Sequence, residues 1–323
     1  MQRKKILSIL LKLLVGIGSF LVIYIRLKAD FTPERIAMLQ ASAFSARGIL
    51  LFATCIALVF LNWGLESYKW RLVTSPIEKV SFKTAIKSVY SGVCLGNLAP
   101  GRATEFIAKI IYFTPGNRPK ITVLHFINGM FQFSITIITG LIALTFKLKS
   151  FGGHNSWIAY ATSGGGIIVL AFFILCIYKI DFILAFISKK ISKKTQVAPF
   201  KYQFTGSMLA QLFGFSALRY LTFFTQLSLL IYLFYPFDFG ATVFTGVALY
   251  FLITSIIPMI SVLEVAIRTA VAMVVFKGSG IDTTVLAMAA VLLWLLNIVI
   301  PSAIGYYFLV KQKFNFKLSD LKK

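Results

Sequence analysis

Charged side chains are scarce in this sequence, and acidic ones are the scarcest. Only 13% of its 323 residues are charged, with 10 Asp and Glu against 33 Lys and Arg. A soluble globular domain carries about 25% charged residues, so this chain has too few to solvate an ordinary protein surface. The cations stand in short clusters between long apolar runs, whereas a nucleic-acid-binding protein places them on a polar surface. We therefore expect a membrane protein that binds no nucleic acid.

Cysteine and histidine are almost absent, which argues against metal, haem and disulfide chemistry. The 3 cysteines all lie within apolar segments, where they are typical of small core residues. The 2 histidines, His125 and His154, have no cysteine or carboxylate at the spacing of a metal site. Phosphate-binding loops, serine-hydrolase elbows and zinc-protease motifs are missing as well. We expect neither a metal nor a cofactor.

Long hydrophobic runs are abundant, since 58% of the residues are hydrophobic. A transmembrane helix needs about 20 consecutive apolar residues. The pattern predicts an all-α polytopic membrane protein, with residues 1–323 forming one integral membrane domain. About six full spans are expected by this length criterion, at 6–27, 48–68, 121–146, 156–178, 206–235 and 283–310.

Clusters of Lys and Arg predict the orientation, because cytoplasmic loops carry an excess of positive charge. Nearly every dense cluster falls on one side if both termini are cytoplasmic. This places 179–205 as a cytoplasmic basic linker and 311–323 as a cytoplasmic tail. The run 6–27 ends without a small-residue cleavage site, so we expect it to remain as the first span.

Two further apolar segments, 82–113 and 241–276, are too long for one span and too short for two spans with a loop. Pro100-Gly101 interrupts the first and Pro258 the second, since proline removes a helical donor. Each arm would be about 20 Å long, about two-thirds of the hydrocarbon thickness. The segments are predicted to be Pro-broken re-entrant helix hairpins. Ordinary two-span hairpins would give the same sidedness and stay an alternative.

The two breaks resemble each other in charge. Each is followed by a glutamate and then by a cation four residues later, Glu105 with Lys109 and Glu264 with Arg268. In both halves, two full spans precede the broken segment and one follows it, but the second set starts from the opposite side. Residues 1–146 and 156–310 therefore form a candidate inverted repeat. Broken helices at corresponding positions of such halves predict a midplane binding site between them.

Charged groups near this midplane are expensive to bury, at about 2.5–3.5 kcal/mol each on insertion scales. Their cations exceed their acids by four to two, which suits an anionic ligand such as a phosphate. Alternatively, the glutamates are structural and only neutralise neighbouring cations. We predict no catalytic residue. The predicted substrate-binding residues are Asn97, Pro100, Gly101, Arg102, Glu105, Lys109, Arg219, Gln226, Pro258, Glu264 and Arg268.

The run Asn97-Leu98-Ala99-Pro100-Gly101-Arg102-Ala103-Thr104-Glu105 resembles the Asn-x-x-Pro-Gly-Arg-x-x-Glu motif of the lysylphosphatidylglycerol synthase/flippase membrane-region family. Three weaker likenesses accompany it, so that the resemblance covers roughly 5–310: Tyr68 to Arg71, Leu218 to Tyr220, and Pro258 to Glu264. The chain departs from the family in having Lys109 where arginine is usual. It also lacks glycine just before Glu264.

The resemblance implies a multi-pass protein of the bacterial inner membrane. The implied function is a flippase-like translocase for an anionic or aminoacylated phospholipid, or for a polyprenyl-linked lipid. We expect a transporter rather than an enzyme, because the chain lacks the soluble aminoacyl-transfer domain of full-length members. Two alternatives stay open: a lipid-modifying transferase using Glu105 or Glu264 as base, and a non-catalytic partner of a separate soluble synthase. A homo-oligomer is also left open.

Overall fold

The computed structural model describes most of the chain outside the N-terminal region and the middle linker. All regular secondary structure in the described part is helical. The described residues are 33–97, 102–150, scattered positions between 164 and 189, Tyr202, 204–236, 240–257 and 261–312. Several predicted segments lie outside these residues. They are the span 6–27, most of the span 156–178, most of the linker 179–205 and nearly all of the tail 311–323.

Ten α-helices lie in the continuous segments that the structure describes. They are α1 (Pro33–Phe44), α2 (Ala46–Thr74), α3 (Phe82–Gly96), α4 (Glu105–Ile110), α5 (Arg118–Ser150), α6 (Gly206–Phe234), α7 (Ala241–Ile256), α8 (Ser261–Val275), α9 (Thr283–Trp294) and α10 (Ile300–Lys311). A π-helical segment, Leu295–Val299, joins α9 to α10 without a loop. The three together form one helix, Thr283–Lys311, which we call the last helix.

Four helices among the described residues are long and apolar enough to cross a bilayer. They are Ala46–Thr74, Pro115–Leu148, Gly206–Phe234 and Thr283–Lys311. These correspond to the predicted spans 48–68, 121–146, 206–235 and 283–310. The composition and the helices agree on an all-helical membrane protein.

Short polar side chains begin several of these helices. The hydroxyl of Ser45 accepts a hydrogen bond from Gly48 N at the start of α2, and that of Ser81 from Thr84 N at the start of α3. Thr205 caps α6 and Asp282 caps α9 in the same way. Each cap satisfies an amide that the helix itself leaves without an acceptor.

The two Pro-broken segments both fold as pairs of helices packed side by side. In the first, Gly92 and Gly96 of α3 face Lys109 and Glu105 of α4, so the two helices run antiparallel. In the second, Gly246 of α7 faces Phe276, just beyond α8. The helices stop at Gly96 and Ile256 and resume at Glu105 and Ser261. The prolines and Gly101 themselves lie outside the described residues.

The second arm of the first hairpin is shorter than the sequence predicted. We expected about a dozen helical residues after the break, on the arm length that proline leaves, whereas α4 has 6. Beyond its end, the carboxylate of Glu78 accepts hydrogen bonds from Thr114 N and from Asn117 Nδ2. This clamp holds the turn between α2 and α3 against the turn after α4, so the hairpin leaves close to where it enters.

Helices of the two halves pack reciprocally. Helix α2 packs along α6, while α5 packs on α7 and α10 packs on α3. Glycines permit the last two contacts: a Cβ at Gly140 would lie 2.6 Å from Leu252 Cβ, and one at Gly305 would lie 2.0 Å from the Tyr90 carbonyl oxygen. The final span of each half therefore lies against the hairpin of the other half.

Candidate ligand-binding site

A cavity of about 380 Å³ lies where the two hairpins approach the long helices. Every long helix contributes to its wall, and both hairpins reach it. Its lining residues are Trp63, Asn97, Arg102, Gln132, Thr136, Arg219, Tyr220, Phe223, Phe251, Thr254, Ser255, Ile257, Glu264, Arg268, Leu293, Trp294, Asn297 and Ile298. The wall combines aromatic and aliphatic groups with arginine side chains, so the cavity is amphipathic.

The structure brings five of the predicted site residues to the cavity wall: Asn97, Arg102, Arg219, Glu264 and Arg268. The other three described residues of the predicted set, Glu105, Lys109 and Gln226, do not line it. Lys109 and Gln226 are buried behind the wall. Pro100, Gly101 and Pro258 lie outside the described residues, so their placement stays a prediction.

Arg102 follows the first break in an unusual backbone conformation. Its φ is 57°, in the left-handed region that residues other than glycine seldom adopt. Such a conformation costs about 1–3 kcal/mol, and the surrounding contacts must hold it in place. The Arg102 Nε atom lies 3.0 Å from Glu105 Oε2, and 37% of the side chain is exposed. The rest of its guanidinium is therefore accessible from the cavity.

Glu105 connects Arg102 to a buried chain of charges. Its Oε1 lies 2.8 Å from Lys109 Nζ, the i,i+4 pair that the sequence predicted. Lys109 is almost completely buried, and its ammonium lies 5.0 Å from the centroid of the Trp70 ring. It also pairs with a second carboxylate, Glu66 Oε1, at 3.4 Å.

Glu66 is the centre of this chain of charges. Its carboxylate pairs with three cations at once: Arg219 NH1 at 2.6 Å, Lys69 Nζ at 3.4 Å and Lys109 Nζ at 3.4 Å. The amide of Asn128 donates to Glu66 Oε1 at 2.9 Å. Lys109 also pairs with Glu105, so two carboxylates face Arg219, Lys69, Lys109 and Arg102 in this chain. The group therefore keeps a positive surplus.

Arg219 is held through two of its three guanidinium nitrogens. Its Nε donates to Asn62 Oδ1 at 3.1 Å, and its NH1 donates to Glu66 and to Gln132 Oε1 at 3.3 Å. The guanidinium is a rigid plane, so these bonds also fix the direction of NH2. The side chain lines the cavity, and its orientation is set before any ligand arrives.

The second hairpin contributes a similar pair. Arg268 donates to Glu264 Oε1 through both Nε and NH2, at 3.0 and 2.8 Å. Each cavity arginine therefore has its own carboxylate: Glu105 for Arg102, Glu66 for Arg219 and Glu264 for Arg268. With Lys69 and Lys109, five cations meet three carboxylates in the two groups. The positive surplus predicted from the sequence persists in the structure.

Glu66 and Lys69 are the functional candidates that the sequence reasoning missed. The predicted span 48–68 leaves Lys69 outside the apolar helix, but its side chain is completely buried among Glu66, Asn128 and Ser216. Helix α2 extends to Thr74, well past the predicted end at 68, and takes Lys69 into the protein interior. The available signal was an acid and a lysine three residues apart near the end of an apolar helix.

Metal ligands do not converge in the part of the chain that the structure describes. Among those residues, no group of three His, Cys, Asp or Glu side chains could hold a metal ion. The cavity offers guanidinium donors, amides and apolar surface, which is a set suited to an anion attached to an apolar group.

No protein-family model matches the chain, and no curated protein matches it significantly.

Proposed function

We propose that the protein is a flippase-like lipid translocase that moves an anionic headgroup through this cavity. One observation carries the proposal. Arginines from the first hairpin, the long helix α6 and the second hairpin all line one cavity that aromatic and aliphatic side chains line as well. A lipid has the same two parts, a charged headgroup and an apolar chain.

The arginines support a phosphate ligand in particular. A guanidinium binds phosphate or carboxylate through two parallel N–H bonds, and charge-assisted bonds of this kind are about twice as strong as neutral ones. The carboxylates of Glu105, Glu66 and Glu264 each occupy part of one guanidinium. A ligand whose charge offsets the surplus would bind through guanidinium donors that the carboxylates leave unengaged.

The lengths and packing of the hairpins support re-entrance. At 1.5 Å per residue, α3, α7 and α8 are each about 22–24 Å long, which is shorter than the hydrocarbon core of about 30 Å. We infer that the hairpins enter from opposite leaflets and meet at the cavity, as in an inverted repeat. The reciprocal packing of α5 on α7 and of α10 on α3 favours this arrangement.

The Asn97–Glu105 motif leads us to propose membership of the lysylphosphatidylglycerol synthase/flippase membrane-region family. The ligand would then be an anionic or aminoacylated phospholipid, or a polyprenyl-linked lipid. The protein would lie in a bacterial inner membrane with both termini cytoplasmic, and a separate soluble synthase could be its partner.

The ion pairs of the two candidate bases favour lipid translocation over a lipid-modifying transfer reaction. Glu264 was one of two candidate bases, but Arg268 donates to its Oε1 through both Nε and NH2. The other, Glu105, is paired with Arg102 and Lys109 and does not line the cavity. Protonation of either carboxylate would weaken its ion pair with an arginine.

The test is transbilayer movement of fluorescent phosphatidylglycerol in reconstituted vesicles, read by dithionite bleaching of the outer leaflet. Wild-type protein should accelerate the movement. Arg102→Gln should slow it about tenfold, since a hydrogen bond to a charged group contributes about 1.5–3 kcal/mol. The variant should still fold, because Glu105 keeps Lys109 as a partner.

The matched control is Arg71→Gln, which removes the same charge from an exposed position outside the cavity lining. Its rate should equal that of the wild type. Equal rates for Arg102→Gln and the wild type would contradict the proposal. A new lipid species in mass spectra of the vesicles would instead favour the transferase.

A further inference from the structure

The last helix has a break in its hydrogen-bond ladder next to the cavity. The amide of Ile300 donates to the carbonyl of Leu295, five residues back, which is the π-helical pattern. Pro301 follows immediately and has no N–H, so the carbonyl of Asn297 loses its α-helical donor. A π segment with an adjacent proline is a common place for a helix to bend.

The two parts of the last helix pack on different neighbours. Helix α9 packs on α8 and α6, whereas α10 packs on α3. The second contact is very close, because the position of a Cβ at Gly305 is 2.0 Å from the Tyr90 carbonyl oxygen. Movement at the π segment would therefore carry α10 and the first hairpin together, relative to α9 and the second hairpin.

The break also lies on the cavity wall. Leu293, Trp294, Asn297 and Ile298 all line the cavity. The amide of Asn297 donates to Gln226 Oε1 at 3.1 Å, and Gln226 donates to the carbonyl of Cys55 at 2.9 Å. These two neutral hydrogen bonds connect the break through α6 to α2. Gln226 does not line the cavity, so it acts on the last helix and not on a ligand.

The corresponding span of the first half is built differently. Helix α5 is α-helical throughout Arg118–Ser150, and its inward amides contact charged groups: Asn128 donates to Glu66, and Arg219 donates to Gln132. Breaking contacts to a buried charge is costly, whereas a single neutral hydrogen bond contributes little. Contacts to charged groups therefore hold α5 in place, whereas the neutral Gln226–Asn297 hydrogen bond holds the last helix at its break.

We propose that the last helix bends at Leu295–Val299 and is the moving wall of the cavity, with the Gln226–Asn297 hydrogen bond as the latch of the closed position. This inference rests on the proposed function in one respect, which is that the ligand admitted by the moving wall is a lipid. It gives Gln226 a positioning role, because its side chain holds the last helix and does not line the cavity.

The test measures one distance across the break and one reference distance. Spin labels at Val274 on α8 and Val310 on α10, both exposed, report movement between the two bodies by pulsed electron–electron double resonance. Labels at Phe82 and Val310 lie within one body. The background carries Ala at Cys55, Cys94 and Cys176, and the protein is in nanodiscs containing phosphatidylglycerol. We expect two populations for the first pair and one for the second.

Two variants separate the hinge from the latch. Deletion of the exposed Val299 removes one residue from the π segment and should leave one population, with transport reduced at least about tenfold. Gln226→Met should shift the first pair toward the open population, while the exposed Gln211→Met serves as its control. A single wild-type distance, or two populations retained after the deletion, would overturn the hinge.

Binding of brominated phosphatidylglycerol, read by quenching of tryptophan fluorescence, separates this inference from the proposed function. Trp63 and Trp294 line the cavity, so bound lipid should quench them. Quenching and transport by a wild type that shows only one distance would reject the hinge and keep the translocase. Two distances without quenching or lipid movement would reject the translocase and keep the hinge.

Discussion

At the scale of single residues, the charge balance depends on Glu66. It is 5% exposed and is the shared counterion of Arg219, Lys69 and Lys109. Burying one of these cations without a partner would cost several kcal/mol, which the shared carboxylate avoids. The residue therefore fixes Arg219 in the cavity wall and stabilises the packing of α2 on α6.

Replacing Glu66 with Gln should destabilise the protein by about 3 kcal/mol, because the variant leaves three buried cations without their common carboxylate. Thermal unfolding in detergent measures the change. The double variant Glu66→Gln/Lys69→Gln removes one of those cations and should recover part of the loss. Glu34→Gln, at an exposed position on α1, should stay within about 0.5 kcal/mol of the wild type. An unfolding temperature of Glu66→Gln equal to that of Glu34→Gln would refute the shared-counterion role.

At the scale of elements, the close contact of the last helix with the first hairpin depends on Gly305. A side chain at this position would collide with the backbone of Tyr90, which cannot rotate away as a flexible side chain would. The equivalent contact of the other half, Gly140 against Leu252, involves a side chain and can adjust more easily.

Gly305→Ala should therefore lower stability by more than about 2 kcal/mol, although alanine by itself favours a helix by about 1 kcal/mol over glycine. Gly64→Ala is the control, since nothing lies within 4 Å of a Cβ at Gly64 on α2. The control should be neutral or slightly stabilised in the same unfolding assay. If both variants unfold at the wild-type temperature, α10 does not pack on α3 as described.

At the scale of the whole molecule, hydropathy and charge predicted the long spans and the arginines of the cavity. The spans around Cys55, Phe131, Leu227 and Leu293 follow from apolar runs long enough for a bilayer. Arg102, Arg219 and Arg268 stood out because charges inside such runs need a shared polar environment, and the structure places all three on one cavity.

Other features could not be predicted because they depend on contacts distant in sequence. Glu66 meets Arg219 across 153 positions, and no helical spacing indicates such a pair. The clamp of Glu78 on Thr114 joins residues 36 positions apart, and the burial of Lys69 depends on its packing against α6. The two-part last helix, whose π segment adjoins Pro301, was predicted only as one uniform span.

The most direct measurement is a structure of the protein in nanodiscs of phosphatidylglycerol, resolved well enough to place lipid phosphates. We predict phosphate density inside the cavity, within hydrogen-bonding distance of Arg219 and of Arg102 or Arg268. Lipid density confined to the outer surface of the helices, with the cavity filled only by water, would contradict it.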